Sequence, residues 1–269
     1  MAALSSCLDA RKHKGLWLVR IDDVDQGRVE SGAATRIVKT LRRFGFEWDR
    51  TVLAQSDRLC YYKSALTILR DQQSTFPCAC SRRDFLGNRY PGTCRRGLSG
   101  KKARSIRLIT DNQQLCFNDK IHGITCQNLS REVGDFVLRR ADGYFAYHLA
   151  TVVDDADQGV THITRGYDLI TSTPRQIYLQ NLLGYKTPIY AHVPVITDSL
   201  GQKLSKQTRA HPVSPKEASR LLTAALRILG QNPDDKLRSA TISEIWDWAI
   251  SQWKLSSVPK KAAITLEKG

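Results

Sequence analysis

Leu16 to Ile21 is a short apolar and β-branched run, the pattern of a strand buried in a parallel sheet rather than of a half-wetted edge. Behind it, Ile37, Leu41 and Phe44 within Gly32–Phe44, and then Leu59, Tyr62, Leu66 and Leu69, recur at the three- and four-residue spacing of two helices. A strand-like Thr75–Ala79 follows. That order predicts an α/β nucleotide-binding core carrying an insertion. The pattern resumes with a helix over Tyr147–Ala156, a strand over Val160–Thr164 and a helix over Thr173–Leu183. A doubly wound core is therefore expected over 1–74 and 145–212, split by an insertion at 75–144. Within the insertion, Arg104–Leu108 and Asp135–Arg140 read as strands, the second closed by the hairpin signal Ala141-Asp142-Gly143.

Residues 213–269 read as a C-terminal helical region. Ser214-Pro215-Lys216-Glu217 has the form of a capping box with proline at the first helical position, and Ala218, Leu221, Leu222, Ala225 and Leu229 share one face. Thr241-Ile242-Ser243-Glu244 starts a second helix with Ile245, Trp246, Ala249 and Trp253 on its buried side. The lysine-rich tail from Ser256 to Gly269 is expected to fray.

A chain of 269 residues with 41% hydrophobic content supports one large or two modest cores. No run of eighteen apolar residues marks a membrane-crossing helix, and Asp9, Arg11, Lys12 and Lys14 break any signal-peptide pattern, so a cytoplasmic location is expected. The formal charge of +15 and pI near 9.7 suit a polyanionic partner, RNA being the natural candidate. The basic pairs are spread along the chain, so charge alone does not name that partner.

Two groups of residues carry possible chemistry. Lys203-Leu204-Ser205-Lys206-Gln207 follows the strand-like His192–Ile196 and the turn Asp198-Ser199-Leu200-Gly201. Two flexible ammonium groups around a small hydroxyl residue form a mobile clamp for a triphosphate, although lysines in turns are more often plain solvated surface. The second group lies among seven cysteines, an odd number that favours reduced thiols. Cys7, Cys60, Cys116 and Cys126 read as small buried residues. Cys78, Cys80 and Cys94 fall within seventeen residues of a turn-rich segment, where thiolates suit zinc. Three unligated thiols are the alternative. From the residues alone Tyr90 is packing, and water, Asp84 or His122 would be the fourth ligand.

Leu18-Val19-Arg20-Ile21-Asp22-Asp23-Val24-Asp25, Phe145–Asp155, Thr164-Arg165-Gly166-Tyr167-Asp168-Leu169 and the lysine loop, in this order, resemble the glutamyl branch of the class I aminoacyl-tRNA synthetases. The resemblance runs from about Leu4 to about Pro212 and is strongest to the short glutamyl-Q tRNA(Asp) synthetases, since only about sixty residues follow Lys206 and none form a candidate anticodon-binding domain. It implies a Rossmann-type class I catalytic core with a zinc-binding insertion. Members begin with an Arg-Phe-Ala-Pro-Ser type strand and a His-x-Gly-Ser motif that holds ATP. Here Met1–Arg11 matches the helix just beyond that motif, so a true start upstream is expected, with a decayed gene as the competing reading.

The resemblance implies activation of glutamate by ATP, accompanied by Mg2+, and transfer of glutamate to queuosine in the anticodon of tRNA(Asp). Its rivals are a non-catalytic or impaired RNA-binding paralogue and a fragment of an ordinary glutamyl-tRNA synthetase. Carried over residue by residue, Lys206 contacts ATP and Lys203 supports loop closure. Arg165 takes the side-chain carboxylate, Tyr147 completes the pocket, and Asp22 faces the substrate ammonium where the family has glutamate, one methylene longer. Read without the family, Arg165 is an ion-pair partner of Asp168 or Asp154, and Tyr147 a core aromatic. Asp154 and Asp155 read as helix partners rather than metal ligands. Cys78, Cys80, Tyr90 and Cys94 match the family's C-x-C, Y-x-x-x-C zinc site, a closed four-ligand site of structural kind. A monomer is expected.

Overall fold

The computed structural model describes residues 1–85, 87, 89–204 and 213–266. Helix α1 (Ala2–Lys12) leads into the apolar run, of which only Arg20–Ile21 is regular strand, β1. After α2 (Ala33–Arg43), β2 (Leu53–Ala54) lies parallel to β1 with Arg20 opposite Leu53. The preceding residues stay extended, and Trp17 and Val19 accept backbone bonds from Asp49 and Leu53. Helix α3 (Leu59–Asp71) buries Tyr62, Ala65, Leu66 and Leu69, the face its spacing marks.

The inserted region begins with β3 (Thr75–Cys78), which pairs antiparallel with β4 (Ser105–Leu108). A hairpin of β5 (Gln114–Asp119) and β6 (Gly123–Asn128) follows, then the single turn α4 (Leu129–Glu132) and β7 (Val137–Arg139) on the other side of β4. The core returns with α5 (Tyr147–Asp157), β8 (His162–Gly166), α6 (Thr173–Leu183) and β9 (Ile189–Val193). Strands β8 and β9 run parallel with Arg165 directly opposite His192. This βαβ unit and the β1–β2 pair are the expected α/β core.

Packing crosses these divisions. One apolar cluster joins Leu108, Phe136 and Leu138 of the inserted region to Tyr62, Leu66, Leu149, Val152 and Leu179 of the core helices. A second joins Leu4 and Leu8 of α1, with Trp17 and Phe46, to α7 (Ala218–Ile228) and α8 (Ile242–Gln252). Ile245, Trp246, Ala249 and Trp253 are all buried there, as their spacing predicts.

Four expectations are corrected. Thr241 and Glu244 form a full capping box, but Ser214 does not: Glu217 N donates to the Ser214 carbonyl, leaving the serine hydroxyl without the cap bond and a 3₁₀ turn before α7. The tail does not fray over its described part, because Ala263–Thr265 forms β11 parallel to β10 (Val195–Thr197) and Val258 is buried. Its alanine and β-branched residues satisfy an exposed strand edge that charge counting cannot see. Cys116 and Cys126 are neither buried nor reduced. They are cross-strand neighbours on the outer face of the β5–β6 hairpin and form a disulfide. Cys60 is exposed, while Cys7 is buried as expected.

Candidate functional site

Strand β8 ends in Thr164-Arg165-Gly166, and its pairing with β9 places the Arg165 side chain beside His192. Arg165 is 8% exposed. Its Nε donates to His192 Nε2 (3.1 Å), its Nη2 donates to Thr173 Oγ1 (2.8 Å), and its guanidinium carbon lies 5.3 Å from the Tyr190 ring centre. The ion pairs that a purely structural role required are absent: Asp154 is taken by Arg58, Gln55 and Tyr62, and Asp168 by Lys203. Among the described residues Arg165 makes no ion pair, so it is a buried cation held by neutral partners. A buried cation is costly unless an anion meets it.

Asp22 follows β1 and is partly exposed. Arg20 Nε donates to its Oδ1 (2.9 Å), while Arg20 Nη1 donates to Asp155 Oδ1 (2.7 Å). Asp155 feels the charges of Arg20, Arg165 and Asp22 together, and burial, the largest influence, raises its carboxyl. Tyr147, the first residue of α5, is half-buried, and both its hydroxyl and Arg165 act electrostatically on Tyr190. Asp22 and Arg165 thus act electrostatically on Asp155, and Tyr147 and Arg165 on Tyr190. Asp154 is fully buried and accepts from Gln55 Nε2 (2.9 Å), Arg58 Nε (2.7 Å) and Tyr62 Oη (2.8 Å), which makes it the tie between α3 and α5.

Lys203 Nζ donates to Asp168 Oδ2 at 2.6 Å, joining the lysine loop to the segment after β8. Gly166 makes room for that carboxylate, since a Cβ there would lie 2.4 Å from Asp168 Oδ1. Lys206 lies outside the described residues.

The sulfurs of Cys78, Cys80 and Cys94 lie within 4.8 Å of one another. Tyr90 Oη is 3.5 Å from Cys78 Sγ and 3.9 Å from Cys80 Sγ, and Cys94 N donates to it at 2.8 Å. Zinc–sulfur bonds in a tetrahedron place ligand atoms about 3.8 Å apart, so three sulfurs and this phenol oxygen fit one zinc ion. The other candidate fourth ligands are engaged elsewhere: Asp84 accepts from Ser81, and His122 faces the His192 carbonyl. Without metal, burial and then contact with Cys94 push the Cys80 thiol up to about 11. Burial would raise Cys94 also, but bonds from Tyr90, the Ala79 amide and the neighbouring thiols outweigh it and bring Cys94 down to about 7. The Arg107 guanidinium lies 3.9 Å over the Tyr90 ring and donates to Cys78 Sγ (3.2 Å), adding positive charge beside the thiolates.

Between the cysteine module and α5–α6 opens a cleft of about 1160 Å³, with Arg104, Arg107, Tyr147, His148 and Arg175 in its walls. Arg175 Nη2 donates to the Thr171 carbonyl (3.2 Å), while its Nε and His148 Nδ1 are buried with no hydrogen-bond partner among the described residues. Burial, then repulsion from Arg175 and Arg165, brings His148 down to about 3, so its ring is neutral.

Sequence reasoning missed four contributors to this region: Arg20, His192, Thr173 and Asp119. Arg20 had a signal, since Arg20 and Asp22 are two apart in an extended segment and share a side. Asp119 had none, as it lies in a hairpin that no turn motif announces.

The family described as tRNA synthetases class I (E and Q), catalytic domain, matches residues 1–226. The glutamyl-Q tRNA(Asp) synthetase of Aromatoleum aromaticum is 50% identical over 269 residues, covering 97% of this chain and 85% of the relative. The protein of the same name from Thiobacillus denitrificans is 49% identical, covering 96% and 89%. Among solved structures, a glutamate-tRNA synthetase from Elizabethkingia anophelis superposes with a TM-score of 0.80 at 21% identity, over 99% of this chain and 64% of that one.

Proposed function

The chain belongs to the class I tRNA synthetase family for glutamate and glutamine, and from that membership we propose that it activates glutamate with ATP and transfers it to queuosine in the anticodon of tRNA(Asp). The observation that carries the amino-acid assignment is Arg165, a buried guanidinium with no carboxylate of its own. A side-chain carboxylate of a bound amino acid supplies the missing anion and accepts from the planar fork.

In this reading Asp22 takes the substrate ammonium and Tyr147 closes the pocket with its hydroxyl. Arg20 holds the Asp22 carboxylate in place, which offsets the shorter aspartate side chain. An oxygen of the substrate's α-carboxylate attacks the α-phosphorus of ATP and pyrophosphate leaves, with Mg2+ arriving on the nucleotide. Lys206, with Lys203 supporting the loop, neutralises the charge that grows on the leaving pyrophosphate. Lys203 pairs with Asp168, which ties the lysine loop to the segment after β8. A nucleophile of the queuosine base then attacks the activated carbonyl and AMP leaves. The cleft of about 1160 Å³ beside Tyr147, with Arg175 and the neutral His148 in its wall, takes the nucleoside in this reading.

Cys78, Cys80, Tyr90 and Cys94 hold a structural zinc ion in this account. All four positions are protein ligands, so the ion stiffens the inserted region and takes no part in the reaction.

The test is transfer of labelled glutamate, with ATP, to tRNA(Asp) containing queuosine and to the same tRNA carrying guanosine instead. Label on the queuosine form alone is expected. Equal labelling of both, or labelling of tRNA(Glu), would contradict the proposal.

A further inference from the structure

The β5–β6 turn meets β9 at His192, where the His122 ring faces the backbone carbonyl and the Asp119 carboxylate faces the imidazole. Asp119 ends β5, is 1% exposed, and sits 73 residues from its main partner. Its Oδ1 accepts backbone N–H bonds from Ile121 (3.0 Å), His122 (2.9 Å) and His192 (3.4 Å), and its Oδ2 lies 2.6 Å from His192 Nδ1. His192 is wholly buried on β9, directly across the strand pair from Arg165.

The protons in this chain of contacts are fixed by elimination. A guanidinium does not lose its proton in a protein, so Arg165 Nε is the donor and His192 Nε2 the acceptor in their 3.1 Å contact. The imidazole is then neutral, with its hydrogen on Nδ1, where the Asp119 carboxylate receives it. Burial, the largest influence on His192, also favours the neutral ring. A protonated imidazole would turn a second N–H toward Arg165.

We propose that Asp119 and His192 are positioning residues that hold the Arg165 guanidinium in plane for the substrate's side-chain carboxylate. The inference rests on the amino-acid assignment above and deepens it. A buried cation with no anion of its own moves toward the nearest carboxylate, and Asp155 is already within the electrostatic reach of Arg165. Collapse onto Asp155 would close the receptor. His192 prevents it by giving Nε a fixed neutral acceptor, while Thr173 does the same for Nη2. Asp119 in turn fixes the tautomer that makes His192 an acceptor, an arrangement in which the partner behind a ring decides what its front can do.

Steady-state ATP–pyrophosphate exchange on wild type, His192→Leu, His192→Gln and Asp119→Asn tests the inference, with melting temperature read alongside. His192→Leu is expected to raise the glutamate KM about 10- to 100-fold, the effect of losing a hydrogen bond to a charged group. The ATP KM is expected to stay within about threefold, because the proposed nucleotide contact is the lysine loop and not this network. His192→Gln, whose amide oxygen can accept from Arg165 Nε, is expected to recover the glutamate KM to within about threefold of wild type. Asp119→Asn keeps an acceptor for the turn amides and is expected to raise the glutamate KM alone, and it supplies the reading if the leucine variant does not fold. A wild-type glutamate KM in His192→Leu, equal losses in the leucine and glutamine variants, or parallel rises in both KM values would overturn the positioning role. No saturable binding of glutamate to the wild type by calorimetry would instead overturn the amino-acid assignment on which it rests.

Discussion

Gly134 lies against Tyr90: the two form a bridge, Tyr90 N donates to the Val133 carbonyl, and a Cβ on Gly134 would sit 2.2 Å from the Tyr90 carbonyl oxygen. Gly134 also has φ of +73°, a conformation that costs other residues about 1 kcal/mol or more. Gly134→Ala is therefore expected to displace Tyr90 from the three thiols. Zinc per chain, measured by elemental mass spectrometry, should fall well below one equivalent; a full equivalent with unchanged affinity would show that Tyr90 is not a ligand.

Metal removal distinguishes the two sets of cysteines. Stripping zinc with a chelator should lower the melting temperature, and adding zinc back should restore it, since metal binding to a folded site is folding free energy. Cys94→Ser should abolish the recovery. Cys116→Ser with Cys126→Ser should leave zinc content intact, because those two cysteines pair with each other and do not belong to the cluster of Cys78, Cys80 and Cys94.

Asp154 is expected to be the most costly carboxylate to neutralise among the core helices. Its three donors, Gln55, Arg58 and Tyr62, are all buried or nearly so. Asp154→Ala leaves Gln55 Nε2, Arg58 Nε and the Tyr62 hydroxyl without their acceptor, although Arg58 keeps Asp157, a loss of about 3 kcal/mol. Urea unfolding at pH 7 measures it, and a loss below about 1 kcal/mol would remove Asp154 from its structural role.

Much of the fold was legible because periodicity reports burial. The α3 face, the α5 and α6 spans, and the buried Ile245, Trp246 and Ala249 of α8 with Trp253 just beyond its end follow directly from apolar spacing. The β5–β6 hairpin was not legible: its outer face carries Cys116 and Cys126, its sides alternate weakly, and its three-residue turn Lys120–His122 has no Asn-Gly or Asp-Gly signal. The tail strand was missed because β11 is defined by a partner 68 residues away rather than by its own composition. Asp22, Tyr147 and Arg165 sit in recognisable motifs, whereas Asp119 and His192 do not stand out, since a buried partner declares itself only through register.

Acid should loosen the pocket before it unfolds the rest. His148 and His192 both have folded values depressed below the ordinary histidine value near 6.5, chiefly by burial. A depressed base binds more protons when unfolded, so its contribution is fully present above about pH 6.5 and is lost as pH falls toward the folded value, about 3 for His148. Asp119, held below the usual carboxylate range although burial alone would raise it, adds to the same loss at lower pH. Melting temperature should therefore fall from pH 6.5 to 4, and His148→Phe should flatten that slope. An unchanged slope in the variant would contradict the neutral, buried assignment.

The central claim, that Arg165 receives the side-chain carboxylate of the amino acid being activated, is tested most directly by ATP–pyrophosphate exchange without tRNA. The zinc-loaded protein and its Arg165→Lys variant are compared with glutamate, glutamine and aspartate. The account predicts exchange with glutamate and little with the other two, and a rise of about 100-fold in the glutamate KM of the lysine variant, which keeps the charge but not the fork. Exchange with glutamine equal to that with glutamate, or a lysine variant indistinguishable from wild type, would contradict it.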